Sequence, residues 1–252
     1  MNEVFVNIKY QIYSTFNRTI FKFILFIQPI LHSFILYMIY KNSSNEVFLD
    51  YAFIGTGMMS FWTVVLFSSA SDLERERLEG TLANLFITPQ NFFKLILSKA
   101  IGNILLGFIP ILISIIVLFY FRPIYININI FKMSIIILLG IITFVLFSTL
   151  FAFAFTISRN TRLLINNLEY PLYILSGIVF PITELPYPLQ ILSKFFPLYW
   201  VNKAVREVIN NKSIEKSVLV LIFFIVIYLI ISKKMFKVFI KKIKIKGSIE
   251  VM

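Results

Sequence analysis

Apolar runs on the scale of a bilayer thickness leave this chain few folds to choose from. A helix rises 1.5 Å per residue, so crossing the hydrocarbon takes about 20 apolar residues. Phe23–Tyr40, Tyr51–Ala70, Leu95–Phe121, Met133–Ile157 and Leu163–Phe180 meet or approach that length. Val218–Ile231 is a shorter apolar core that Met235 and Phe236 extend while Lys233 and Lys234 snorkel. Of the 252 residues, 59% are hydrophobic, 29 are Phe and only 14% are charged, against roughly a quarter charged in a soluble domain. No soluble globule hides this much apolar surface. The sequence predicts a single all-α integral membrane domain over residues 1–252 with six transmembrane helices. Acidic Glu3 and the lack of a small-residue cleavage site after Tyr40 argue against a removable signal, so the first run is expected to stay as a span.

One strongly charged stretch interrupts the oil. Asp72, Glu74, Arg75, Glu76, Arg77 and Glu79 fall within eight positions, between the second and third runs. Ser71-x-x-Glu74 has the form of a capping box at a helix start. Arg75/Glu79 at i,i+4 and Asp72/Arg75 and Glu74/Arg77 at i,i+3 are spaced to pair along a helix face. Gly80 should break that helix, and Thr81 can cap a short one showing Leu82, Leu85 and Phe86 on one side before Thr88-Pro89 stops it. Residues 71–94 thus read either as a docking loop with a coupling helix or as a solvated loop whose charges keep it out of lipid.

Around these elements, residues 4–19 set Val4, Ile8, Ile12 and Phe16 against Asn7, Lys9, Gln11 and Asn17, the pattern of an amphipathic helix in the headgroup plane. Gln28-Pro29 should kink the first span. Lys41–Asp50 reads as a polar loop, and Gly55 and Gly57 allow close helix contact in the second span. Residues 181–203 are too rich in proline to span and too apolar for a free loop, which suggests two short re-entrant helices with Tyr187, Tyr199 and Trp200 at the interface. Placing both termini in the cytoplasm puts 16 of the 24 basic residues on that side. The basic tail, 233–252, is expected on the anionic inner leaflet, each lysine near the surface adding about 1 kcal/mol.

The net charge of +12 suits topology rather than nucleic acid, because the basic residues gather at helix ends and form no stripe. There is no cysteine, no P-loop and no G-x-G-x-x-G; Gly102–Gly107 has the P-loop glycine spacing but is followed by Phe108. His32 is the sole histidine, which leaves metal-ligand sets and triads without members; a structural hydrogen bond is its expected role. Glu169 is the sole acid expected within a span. It is either functional or a structural partner of Asn166, Arg159 or Arg162, with the structural reading preferred. No catalytic residue and no metal site is expected. The two halves do not resemble each other closely enough for an internal repeat.

The residues that carry a resemblance are Glu79-Gly80-Thr81-Leu82 with Thr88-Pro89, and Ser176-Gly177 through Phe180-Pro181, Leu185-Pro186, Pro197-Leu198 and Ala204. In these topological slots the chain resembles, over essentially its whole length, the permease subunit of ABC-2 type exporters. The resemblance implies a coupling helix at about Thr81–Thr88, with Glu79, Gly80, Leu82, Leu85, Phe86 and Pro89 in the ATPase-coupling segment. It implies an outer gate that includes Phe180, Pro181, Leu185, Pro186, Pro197 and Tyr199, and a working unit of two permease and two ATPase chains. No cofactor is expected in this chain, since the partner ATPase would bind ATP and Mg. Many members carry a further acid after Gly-Thr-Leu; here Ala83-Asn84 follow, which shifts the implied docking toward Leu82, Leu85 and Phe86.

The implied function is transport: a non-enzymatic permease in a bacterial plasma membrane, exporting a hydrophobic or amphipathic cargo such as a drug, antimicrobial peptide, lipid or lipid-linked glycan. The second permease chain would be identical or a sister, membrane lipids are the other partners, and nucleic acid is not one. An immunity or sensing subunit on the same fold, and a membrane enzyme acting on lipid or peptide, are the alternatives.

Overall fold

The computed structural model describes residues 2–81, 85, 90–123, 128–156 and 161–246; among them there is no strand. The chain opens with α1, Asn2–Phe16, and after extended Arg18 enters α2, Thr19–Tyr40. The next helix, α3, starts at Asn45, runs through a π-helical stretch Phe48–Phe53 and continues over Ile54–Leu78. Then follow α4 (Phe92–Phe121), α5 (Ile130–Thr156), α6 (Thr161–Leu175), α7 (Tyr187–Ser193), α8 (Pro197–Ile209) and α9 (Glu215–Lys246).

Among the described residues five helices are long and apolar enough to cross a bilayer: α2, α3, α4, α5 and α9. The segment expected as a span over Leu163–Phe180 is the 15-residue α6, which ends at Leu175. At 1.5 Å per residue that is about 22 Å, short of a bilayer core. Turns and a 3-10 turn at Ile182–Glu184 follow it.

Several boundaries differ from the sequence reading for identifiable reasons. Ser44 accepts a hydrogen bond from the Val47 amide and starts α3 at Asn45, so the polar loop is only Lys41–Ser44 and not Lys41–Asp50. No helix starts at Ser71: α3 carries on from the apolar run through the charged residues to Leu78, since nothing between Ala70 and Ser71 breaks it. Before Pro29, α2 contains a π-helical stretch, Phe23–Ile27, in which the Gln28 amide reaches back to the Phe23 carbonyl. Proline lacks an amide, and local π winding accommodates the interrupted ladder. The second of the proline-started helices, α8, extends past 203 to Ile209, and α9 runs unbroken into the lysine-rich stretch.

Apolar packing gathers α3 to α6 with α8 and α9. Buried Trp62 of α3 meets the rings of Phe144, Phe147 and Phe151 on α5 at 5.8–6.3 Å. Phe236 of α9 stacks on Phe92 of α4 at 6.3 Å and meets Phe153 of α5 at 5.9 Å, so it pins the far end of the last helix as well as lengthening it. Gly55 provides the close contact its type suggested, although with backbone after α6: a Cβ there would lie 2.6 Å from the Ile178 carbonyl oxygen. Gly55→Val should therefore lower stability by about 1–3 kcal/mol, as overpacking does, read as a lower thermal midpoint in detergent. Gly57→Ala, whose Cβ has an ordinary 3.6 Å contact with Ile111, should leave that midpoint unchanged.

Candidate functional site: a buried charge junction beneath the charged turn

The charged stretch folds inward. Asp72, Glu74 and Glu76 are buried on the continuation of α3. Asp72 Oδ1 accepts from Arg18 Nη2 at 2.8 Å, and its Oδ2 accepts from Gln11 Nε2 at 2.5 Å and Asn103 Nδ2 at 2.8 Å. Gln11 also donates to Asn103 Oδ1 at 2.9 Å, and the Thr15 hydroxyl donates there at 3.3 Å. One carboxylate thus joins α1, the α1–α2 corner, α3 and α4. Hydrogen bonds to charged groups contribute about 1.5–3 kcal/mol each, so this cluster outweighs any single surface ion pair.

On α1 the expected two faces hold in part: Ile8 and Ile12 are half-buried and Lys9 and Asn17 exposed, but Gln11 of the polar face points inward. Gln11 and Thr15 are fully buried, whereas Phe5, Val6, Tyr10 and Tyr13 are exposed. The helix thus turns Gln11 and Thr15 to the protein beside Ile12, and an aromatic stripe outward, which suits a headgroup layer. Asp72 pairs with Arg18, not with Arg75 as the i,i+3 spacing suggested; Arg75 and Glu79 do approach, at 3.9 Å. The Arg77 side chain lies outside the described residues, and with it the Glu74/Arg77 pair.

A second buried pair lies one turn along. Lys99 Nζ of α4 donates to Glu76 Oε1 at 2.6 Å, and the Thr81 hydroxyl donates to Glu76 Oε2. Burial alone would push the Glu76 carboxyl up, but the Lys99 charge and the Lys99 and Thr81 hydrogen bonds, with Arg75, outweigh it. The carboxyl sits below its ordinary value of 4.5. Gly80, at φ +68°, ends α3 in the left-handed region that glycine enters freely, as the sequence suggested. Glu79 and Gly80 are exposed and Thr81 is half-buried. The Thr81 hydroxyl binds Glu76, and its carbonyl accepts from the Leu85 amide at 3.2 Å; the amides it was expected to cap lie outside the described residues. Leu85 packs against the cluster of Phe92, Leu95, Ile96 and Phe153, so it faces the helix bundle. Leu82, Phe86, Thr88 and Pro89 lie outside the described residues.

At the opposite end of the bundle, irregular backbone is served by side chains. Tyr40 donates to the Val179 carbonyl at 2.6 Å and Asn202 to that of Gly177 at 3.3 Å. Arg206 donates to the Asp50 and Ile178 carbonyls at 3.1 and 3.2 Å while lying over the Tyr51 ring. Of the residues read as an outer gate, Phe180 and Pro181 sit half-buried at the entry to the 3-10 turn, and Leu185 and Pro186 lie between that turn and α7. Pro197 is buried as the first residue of α8, and half-buried Tyr199 stacks edge-on with Trp200.

Glu169 and His32 come near one another around Tyr173. Glu169 Oε1 accepts from Tyr173 Oη at 2.6 Å and Thr63 Oγ1 at 2.8 Å, while the side chains of Asn166, Arg159 and Arg162 offered by the sequence lie outside the described residues. His32 Nδ1 bonds Ser60 Oγ at 3.3 Å, the structural role expected, with its ring edge-on to Tyr173 at 6.3 Å. Sequence reasoning missed Gln11, Asn103, Thr63 and Arg206. A polar side chain inside an apolar run was the available signal for Asn103 and Thr63.

The profile of the ABC-2 family transporter proteins matches residues 4–233. The chain belongs to that family. ABC-2 permeases are the membrane components of transporters and work in general with an ABC ATPase. No individual curated protein matches the chain significantly. The matched region takes in both polar ends, four of the five long apolar helices and the last one, α9, as far as Lys233.

Two outcomes test the charge junction. Asp72→Ala leaves Arg18 and Asn103 without their acceptor and should cost about 3 kcal/mol or more, seen as a lower midpoint and faster proteolysis between α1 and α2. For Glu76, the folded carboxyl titrates below the unfolded one, so its stabilisation is present above 4.5 and is lost as pH falls through the folded value. Glu76→Gln should be less stable than the parent at neutral pH, with the gap closing under acid; a gap that widens on acidification contradicts the assignment.

Proposed function

We propose that this ABC-2 chain is the permease subunit of an ATP-driven exporter, moving a hydrophobic or amphipathic cargo outward with energy from a separate ATPase. The observation that supports this best is the polar junction next to the exposed Glu79–Gly80 turn. Asp72 and Glu76 fasten that turn to α1 and α4 through groups that are costly to pull apart once buried. A displacement of the turn would be passed on as movement of whole helices, because hydrogen-bonded charges and packed cores deform little.

In this reading the 79–89 segment receives the ATPase on the cytoplasmic side, with α1 beside it and both termini inside a bacterial plasma membrane. Glu79 and Gly80 would form the exposed contact, with Thr81 half-buried beside them, and Leu82, Phe86, Thr88 and Pro89 complete the segment. Leu85 would anchor its base to Phe92 and Phe153. The α6 helix and the turns after it would together make the sixth crossing, and 181–209 would cap the exit. Two permease and two ATPase chains form the working unit, and the permease shifts between inward-open and outward-open states through differential contacts rather than covalent chemistry.

The test is co-purification with the ABC ATPase and ATP hydrolysis in reconstituted vesicles. Glu79→Lys, a change on an exposed turn, should leave insertion and thermal midpoint unchanged and weaken ATPase association by about tenfold, the effect of about 1.4 kcal/mol. Leu82→Asp should leave the chain inserted and uncouple ATP hydrolysis from transport. Full coupling in both variants, or transport by the purified chain with no nucleotide-hydrolysing companion, overturns the reading.

A further inference from the structure

Away from both polar ends, a cavity of about 280 Å³ lies among α3, α4, α5 and α8. It is roughly twice the 150 Å³ that accepts a benzene ring in an apolar protein interior. Every residue that lines it is apolar or glycine. Gly57 of α3 and Gly140 of α5 line it without a side chain, where a Cβ would meet Ile111 of α4 at 3.6 Å and Val201 of α8 at 3.3 Å, and buried Phe61 and Phe144 are among its walls. A wall of this kind offers water no partner, and burying a headgroup in it would cost every one of that group's hydrogen bonds. Hydrocarbon is the one chemistry it accepts.

The rim says where the hydrocarbon comes from. Ile128 and Ile137 line the cavity and are themselves 38% and 42% exposed. The neighbouring outward positions on α4 and α5, Ile116 and Leu138, are 67% and 60% exposed, so the opening continues into the surface that faces lipid chains in a membrane. We propose that this cavity holds one hydrocarbon chain of a bilayer lipid, inserted sideways between α4 and α5 with the headgroup left outside. The site is independent of the cargo and of the ATPase. It makes a lipid chain part of the packed interior on the α8 side of the bundle.

The experiment uses the full chain in phosphatidylethanolamine–phosphatidylglycerol vesicles with a trace of phosphatidylcholine carrying a diazirine in mid-chain. After illumination, labelled positions are mapped by mass spectrometry, with Ile116 and Leu138 as lipid-facing references. Phe61 and Phe144 should label as the references do. Gly57→Leu and Val205→Phe, which fill the space from two sides, should each cut wall labelling roughly tenfold relative to the references. Gly57→Ala, whose Cβ meets only Ile111 at 3.6 Å, should trim it less. Unlabelled walls beside labelled references in the parent chain overturn the proposal. So does wall labelling that persists in both filled variants, or walls labelled by a photoactivatable amphiphilic drug and not by lipid. Because each variant carries its own references, a variant that fails to insert is recognised by loss of label at Ile116 and Leu138, and the other variant then decides.

Discussion

A carboxylate buried beside a bilayer is held only if donors surround it, and Asp72 is the point where this requirement shapes the rest of the chain. Its oxygens collect an arginine from the α1–α2 corner, a glutamine from α1 and an asparagine from α4. The donors from α1 and its corner fasten that part of the chain to α3 and α4, which apolar packing already holds together. The first helix exposes Phe5, Val6, Tyr10 and Tyr13 and packs Ile12 inward, so its seat on α4 combines one apolar contact with the buried polar ones. Glu76 and Lys99 repeat the logic one turn further on and carry it to the Gly80 turn.

The other end of the bundle solves a different problem with the same physics. Backbone between Ser176 and Pro186 is not α-helical, and carbonyls left without helical partners need donors from elsewhere. Arg206, Asn202 and Tyr40 supply them, and Arg122 does the same for the Lys41–Ser43 turn, donating to both end carbonyls at 3.2–3.3 Å and lying over Phe48. A planar guanidinium can reach two acceptors in different elements and stack on a ring at once, which an ammonium cannot.

The long apolar helices were legible because length and composition decide them almost alone, and the Gly80 break was legible because a local conformation decided it. What stayed hidden was set by partners distant in sequence. The capping-box pattern at Ser71–Glu74 is a local signal, and it lost to the continuity of α3 and to donors on α1 and α4. The spacing of Asp72 and Arg75 was suitable for a pair, yet Arg18 took the place. Glu169 was recognisable as unusual, but only the fold could say that Thr63 and Tyr173 stand beside it. Likewise the amphipathic pattern of α1 was real, but Gln11 counts as solvent-facing until Asp72 is known to be behind it.

The two π-helical stretches, Phe23–Ile27 in α2 and Phe48–Phe53 in α3, bear on how such a chain can change length. In each, an amide reaches five residues back: Gln28 to Phe23, and Ile54 to Leu49. A π turn carries one residue more than the α turn it replaces. Deleting a single residue there would restore ordinary winding and leave every later side chain on the same side of its helix, whereas the same deletion elsewhere would swing the remainder by about 100°. These two places are therefore where the first two long helices can absorb a one-codon loss without repacking against their neighbours.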